Sequence, residues 1–225
     1  MIREIVKANL EAIKKAYLNL EPGRILDVGG GDQPIKMATH VVDIQPYEKR
    51  GRTCKAMGLA NEEEKFSKET WVQLNICDYP WPFPDKYFDF VWCTQTLEDI
   101  RDPIGVCKEM ARVGKAGYIN CPAKVSELIS GTNQEPYAEF YNGFWHHRWL
   151  VSLEDNALIF EPKNAFATSV GWTDEKLLDI VNKNPKLGYI ELFWEGKIIA
   201  EERFVIDSTE AFLRIKSFIE GIKNG

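Results

Sequence analysis

A chain of 225 residues is long enough to bury one α/β core and too short for two full-sized domains. A net charge of -6 gives it no general attraction to nucleic acid, and no apolar run reaches the length a bilayer crossing needs. Five scattered cysteines (Cys54, Cys77, Cys93, Cys107, Cys121), none in a C-x-x-C pair, read as a reduced, cytoplasmic and metal-free protein.

Residues 2–20 set Ile2, Ile5, Val6, Ile13, Tyr17 and Leu20 at helical spacing, which predicts an amphipathic helix ended by Pro22 and Gly23 and is unlike a signal peptide. Ile25, Leu26 and Val28 then form a short buried strand that runs into Gly29, Gly30 and Gly31. A bare-backbone loop at the carboxyl end of such a strand is a candidate cofactor seat, because it lets a ligand approach the main chain. A dinucleotide fingerprint wants a small residue where this chain has Pro34, and Asp27 would add negative charge beside a pyrophosphate. A ligand with an ammonium group fits better, and the plain alternative is a tight structural turn.

His40–Ile44 reads as a second strand ending in Asp43, placed to accept the hydroxyls of a ribose; otherwise Asp43 is a surface carboxylate. Residues 45–68 lose apolar periodicity and predict a solvated loop with a short helix. Trp71–Ile76 is a third strand, followed by Asp78, which can accept from an exocyclic amine while Tyr79 or Trp81 covers a base face. Tyr87–Cys93 is a fourth strand and residues 104–113 a helix. Gly114 and Gly117 bracket a turn into a fifth strand, Tyr118–Cys121. Alternating strands and helices imply a parallel sheet.

Together, Leu26 to Gly31, Val42-Asp43, Cys77-Asp78 with Pro82-Phe83, and Phe88 to Val91 resemble the class I S-adenosylmethionine-dependent methyltransferases, small-molecule type (methyltransferase type 11-like). The ordered match runs over residues 22–122. It implies a single domain over residues 1–225 with a Rossmann-like, doubly wound, mostly parallel seven-stranded sheet and an antiparallel end strand. It also implies S-adenosylmethionine as cofactor. Gly29, Gly30 and Gly31 would then approach the methionine portion, with Asp27 at its ammonium and the backbone near Cys93 and Thr94 flanking it. Asp43 and Ile44 would meet the ribose, and Asp78 and Tyr79 the adenine. Two departures stand out: Asp99 occupies a position where the family often has His, and little helical sequence follows the glycine loop.

Beyond Pro122 the family pattern fades, and residues 125–165 read as an insertion. Tyr137, Phe140, Tyr141, Phe144, Trp145, His146, His147, Arg148 and Trp149 crowd one stretch. Imidazole can take a proton from an acceptor hydroxyl at neutral pH, so one of His146 and His147 is the candidate catalytic residue and the other structural; the alternative is a satellite core. Residues 150–161 predict an added hairpin turning near Asp155 and Asn156. Tyr189–Trp194 and Ile198–Ile206 are expected at the antiparallel end of the sheet. Ser208 would cap a last helix that buries Phe212, Ile215, Phe218 and Ile219. The function expected is methyl transfer to an oxygen or nitrogen of a small molecule, carbohydrate-like by its aromatic loop, without nucleic-acid or membrane partners. A non-catalytic cofactor-binding protein and a nicotinamide-dependent oxidoreductase are the alternatives.

Overall fold

The computed structural model describes residues 23–31, 34–50, 64–130, 141–169 and 171–225. The helix expected over residues 2–20 lies outside them, as do residues 51–63 of the charged stretch and Tyr137 and Phe140 of the aromatic loop. The chain divides into two compact units. One holds the residues up to Leu97 with Gly105–Ile119 and Leu192–Ile198, the other Glu98–Ile104, Asn120–Glu191 and Ile199–Gly225. Among the described residues no helix is long and apolar enough to cross a membrane.

In the first unit β1 (Ile25–Val28) pairs in parallel with β2 (His40–Asp43) and β4 (Phe88–Thr94), and β2 pairs in parallel with β3 (Trp71–Gln73). Leu26, Val28, Val41, Val42, Val91 and Cys93 are all buried, a continuous apolar run rather than an alternating one, as a sheet covered on both faces requires. β5 (Gly114–Pro122) and β8 (Tyr189–Glu195) complete the order β3-β2-β1-β4-β5-β8, six strands among the described residues where seven were expected. Gly114 and Gly117 lie inside β5 instead of bracketing a turn before it. A Cβ on Gly117 would come 2.3 Å from the Val91 carbonyl oxygen and 2.6 Å from the Trp194 ring, so the missing side chain is what lets the indole close on the strand.

The helix Pro103–Val113 starts on a proline, whose absent N–H is no loss at a first position, and buries Val106, Cys107, Met110 and Val113 along one face. Its Arg112 donates to the carbonyls of Phe83 (2.8 Å) and Trp81 (3.1 Å) and pairs with Asp85 and Glu109. Glu109 in turn accepts from the Trp81 N–H at 2.7 Å. The proline-rich turn is thereby bound to the helix. Trp81 is a core residue, 2 % exposed with its ring N–H on the Ile76 carbonyl, and cannot cover a base face.

In the second unit β6 (Trp149–Glu154) and β7 (Ala157–Pro162) form the expected hairpin, with Asp155 and Asn156 at φ 48° and 63° supplying the left-handed pair that such a two-residue turn needs. β9 (Ile199–Glu202), expected in the large sheet, pairs in parallel with β7 instead. None of its four residues is buried and two are glutamates, so it suits an exposed edge rather than a core position. The helices Lys124–Leu128, Glu175–Lys183 and Ser208–Asn224 bury Val125, Leu128, Leu177, Ile215 and Ile219 with Leu150. The last of them is capped by Asp207, which accepts from the Glu210 N–H at 2.9 Å, rather than by Ser208. Counting from that cap, Ala211, Ile215 and Ile219 face inward, and Phe212 is left 40 % exposed.

Candidate functional site

The predicted cofactor residues lie in the first unit. Gly29 has φ +73°, a conformation that L side chains rarely adopt, and a Cβ there would sit 2.5 Å from Thr96. The loop is shaped by the two strand-end carboxylates. Asp43 Oδ2 accepts from the Gly31 N–H at 2.8 Å and Oδ1 from the Gln45 N–H at 2.7 Å, so one side chain joins the loop after β1 to the chain leaving β2.

Asp27 is 3 % exposed and accepts from the Ile35 N–H at 2.8 Å. Burial pushes its pKa up to about 7; the Ile35 N–H pulls it down and Asp43 pushes it further up. Residues 34–39 are not helical, so no helix start follows Pro34 among the described residues. Ile44 (66 % exposed) and Tyr79 (41 %) present apolar surface to solvent, and Asp78 is exposed, while Cys93 is buried and Thr94 half-buried. Thr94 contributes its carbonyl to the Thr96 hydroxyl at 3.0 Å and its own hydroxyl to the Trp92 ring N–H.

The predicted catalytic residues lie in the second unit, and here the structure adds groups that sequence reasoning missed. His147 is buried and stacks on Phe144, with ring centroids 4.5 Å apart. Its Nδ1 is 2.7 Å from Oε1 of Glu127, a fully buried carboxylate on the Lys124–Leu128 helix. The other Glu127 oxygen accepts from Lys163 Nζ (2.6 Å) and from the Phe144 N–H (3.2 Å). Burial pushes the Glu127 carboxyl up, but His147 and Lys163 outweigh it and hold it below its ordinary range. In the neutral tautomer whose Nδ1–H donates to this carboxylate, Nε2 keeps a lone pair; in the charged ring it is a second donor.

That Nε2 lies 3.8 Å from Oδ1 of Asp99, and Nε2 of the exposed His146 lies 3.9 Å from the same oxygen. Asp99 Oδ1 is buried without a hydrogen-bond partner among the described residues, as is Oε2 of neighbouring Glu98. Burial raises the Asp99 pKa against the pull of both imidazoles, and burial, then the negative neighbours Asp99 and Glu127, carry Glu98 up to about 8.

Sequence reasoning found the histidine pair by its rarity and its aromatic setting. Glu127 and Lys163 gave no comparable signal, because Glu and Lys are the commonest residues of solvated surfaces and nothing in their spacing marks them as buried. The position of Asp99 was singled out only for its lack of a histidine.

A family model described as a methyltransferase domain matches residues 26–119. An uncharacterized methyltransferase of Schizosaccharomyces pombe is 33% identical over 121 residues, covering 48% of this chain and 41% of the relative, so the chain spans less than half of that relative's length. Among solved structures, an S-adenosylmethionine-dependent methyltransferase from Mesorhizobium loti is similar at 14% identity, covering 53% of this chain and 57% of its own, with a TM-score of 0.35. Another from Aquifex aeolicus is similar at 20% identity, covering 59% and 71%, with a TM-score of 0.36.

Proposed function

We propose that residues 26–119, which match the methyltransferase-domain family model, form a class I S-adenosylmethionine-dependent methyltransferase domain, and that this chain transfers a methyl group to an oxygen or nitrogen of a small molecule. The observation that carries the reading is the Asp43 carboxylate joined to the Gly31 and Gln45 N–H groups. It sets a buried carboxylate at the end of β2 beside a loop where a Cβ on Gly29 has no room, which fits a ribose hydroxyl pair next to an amino-acid chain. Exposed Ile44 and Tyr79 suit the adenine, with Asp78 as acceptor for its amine.

When bound, the cofactor would supply an electrophilic methyl group to an acceptor lone pair, with its sulfur as the leaving group that keeps the bonding electron pair. The acceptor proton must be removed, and the His146–His147 pair is our assignment for that end. His147 is the better prepared of the two, because Glu127 fixes its tautomer and Lys163 keeps Glu127 charged. Exposed Trp145, Arg148 and His146 are compatible with a ring or sugar acceptor.

The test is thermal stabilisation by S-adenosylhomocysteine titrated beside NAD and NADP, since a ligand that binds only the folded chain raises Tm. Asp43→Ala should weaken the S-adenosylhomocysteine affinity by ~10- to 100-fold, as expected for lost charge-assisted hydrogen bonds. Stabilisation by a nicotinamide cofactor alone would replace the assignment, and unchanged affinity in a folded Asp43→Ala protein would move the ribose elsewhere.

A further inference from the structure

We propose that Asp99, His146 and His147 form a site for one divalent transition-metal ion, with coordination positions left open for an acceptor oxygen. The three ligand atoms all lie within 4.8 Å of one another. Both imidazole Nε2 atoms face a single Asp99 oxygen at 3.8 and 3.9 Å, and that oxygen is buried with no hydrogen-bond partner among the described residues.

Three lone-pair donors converging in this way repel one another unless a cation lies among them. Protonated imidazoles would pair with Asp99 by charge at these separations, but a charge-assisted N–H···O bond closes to about 2.7–2.9 Å, so protonation alone does not give the buried oxygen a bonded partner. A metal ion does. With bonds of ~2.0–2.2 Å, two ligands of one ion stand up to ~4.4 Å apart, which takes in both imidazole–Asp99 separations, and a pair nearer the 4.8 Å limit would draw together on binding.

The surroundings are those of a metal-bound histidine. His147 gives its other ring nitrogen to a carboxylate, Glu127, which fixes the tautomer and aims Nε2; Glu127 is itself held by Lys163 and the Phe144 N–H. Glu98 Oε2, like Asp99 Oδ1, is a buried oxygen with no hydrogen-bond partner among the described residues, so the neighbourhood is rich in oxygen acceptors and short of donors. Two imidazoles and one carboxylate select a first-row transition ion over magnesium or calcium, which prefer all-oxygen sets. Three protein ligands are one fewer than a closed structural zinc site has, so water or an acceptor completes the shell.

The acceptor role, though not the ion site, rests on the methyltransferase reading. It points to an acceptor that can chelate, such as a vicinal diol or a hydroxy-carboxylate. The ion would acidify the coordinated hydroxyl, whose proton leaves to water, and Nε2 of His147 would be a ligand instead of a base.

The experiment uses the full chain stripped with EDTA, titrated with Zn²⁺ alone by calorimetry and with Co²⁺ alone by visible absorption. One equivalent should bind, with a ligand-field spectrum, and millimolar Mg²⁺ should not displace it. His146→Ala and Asp99→Asn leave the His147–Glu127 pair in place. Each should weaken binding by more than the ~10- to 100-fold typical of an outer-shell partner, and the double variant should lose stoichiometric binding while keeping its Tm. No binding by the native chain, displacement by Mg²⁺, or stoichiometric binding that survives in the double variant would overturn the site. If the ion fails to bind while S-adenosylhomocysteine still stabilises the chain, the methyltransferase reading stands without the metal; if the ion binds and S-adenosylhomocysteine does not, the metal site stands without that reading.

Discussion

The strand-end carboxylates of the first unit and the buried charges at the second unit's candidate site are held in different ways. In the first, buried carboxylates accept from the main chain: Asp27 from Ile35, and Asp43 from Gly31 and Gln45. In the second, buried charges meet one another, Lys124 with Glu161 at 2.8 Å, and Glu127 with both His147 and Lys163. A carboxylate on backbone N–H groups fixes the path of a loop. Paired side chains fix a local charge instead, at the hazard that removing one member strands the other in a low dielectric.

That contrast is broken most severely at Lys163. Its side chain is 4 % exposed and that of Glu127 1 %, so Lys163→Ala should destabilise the chain by ~3–5 kcal/mol in urea unfolding near neutral pH. A loss under about 1 kcal/mol would put the pair with ordinary surface ion pairs. The pH dependence has a definite sign. Glu127 titrates below its ordinary value when folded, so its contribution is present above the unfolded-state pKa and is lost as pH falls through the folded one. The penalty of Lys163→Ala should therefore shrink in acid.

Asp27 gives the next largest effect, with the opposite sign. Its folded pKa is raised to about 7, so between about pH 4 and 7 the folded state binds more protons than the unfolded one and stability falls as pH rises. Asp27→Asn keeps an acceptor for the Ile35 N–H and removes the buried charge. It should leave stability unchanged near pH 4 and raise it by an amount on the order of 2 kcal/mol above pH 7, about half of what three pKa units correspond to, since the amide still needs partners. If Asp27 also holds the ammonium end of the cofactor, affinity for S-adenosylhomocysteine should fall ~10-fold or more in the same variant. Gained stability with unchanged affinity would make Asp27 a turn residue alone.

The same division governs what could be read from the sequence. β1 and β2 were legible because their short apolar runs end at glycine or Asp, β4 because Phe88 to Cys93 is dense in aromatic and β-branched residues, and the strand-end carboxylates because backbone-defined loops need fixed residue types at fixed spacing. Of Tyr79 and Trp81, the two rings offered to cover a base face, only Tyr79 is exposed, and nothing in the sequence distinguishes an indole packed under the Arg112 network from one on a surface. β9 was assigned to the wrong sheet for a related reason: a four-residue edge strand carries no buried pattern to place it. Glu127 and Lys163 were invisible, since their burial depends on a pairing between residues 36 positions apart. Long-range pairs of common charged residues leave no local trace.

The smallest effect expected separates ligand surface from ordinary exposure. Ile44 is 66 % exposed, yet its carbonyl accepts from Gln73 Nε2 at 3.1 Å, so the backbone is anchored while the side chain stands in solvent. Ile206, in the other unit, is 88 % exposed. Ile→Ala at either position should change stability by less than about 0.5 kcal/mol, because neither side chain is packed in the folded chain. They should part company in calorimetric titrations with S-adenosylhomocysteine. An adenine laid against Ile44 would cover part of its apolar surface, and truncation should weaken binding by about 1 kcal/mol, ~5-fold, at the usual value for buried methylene groups. Ile206→Ala should bind like the native chain. Equal affinities in the two variants would remove Ile44 from the cofactor surface and leave the adenine to Asp78 and Tyr79.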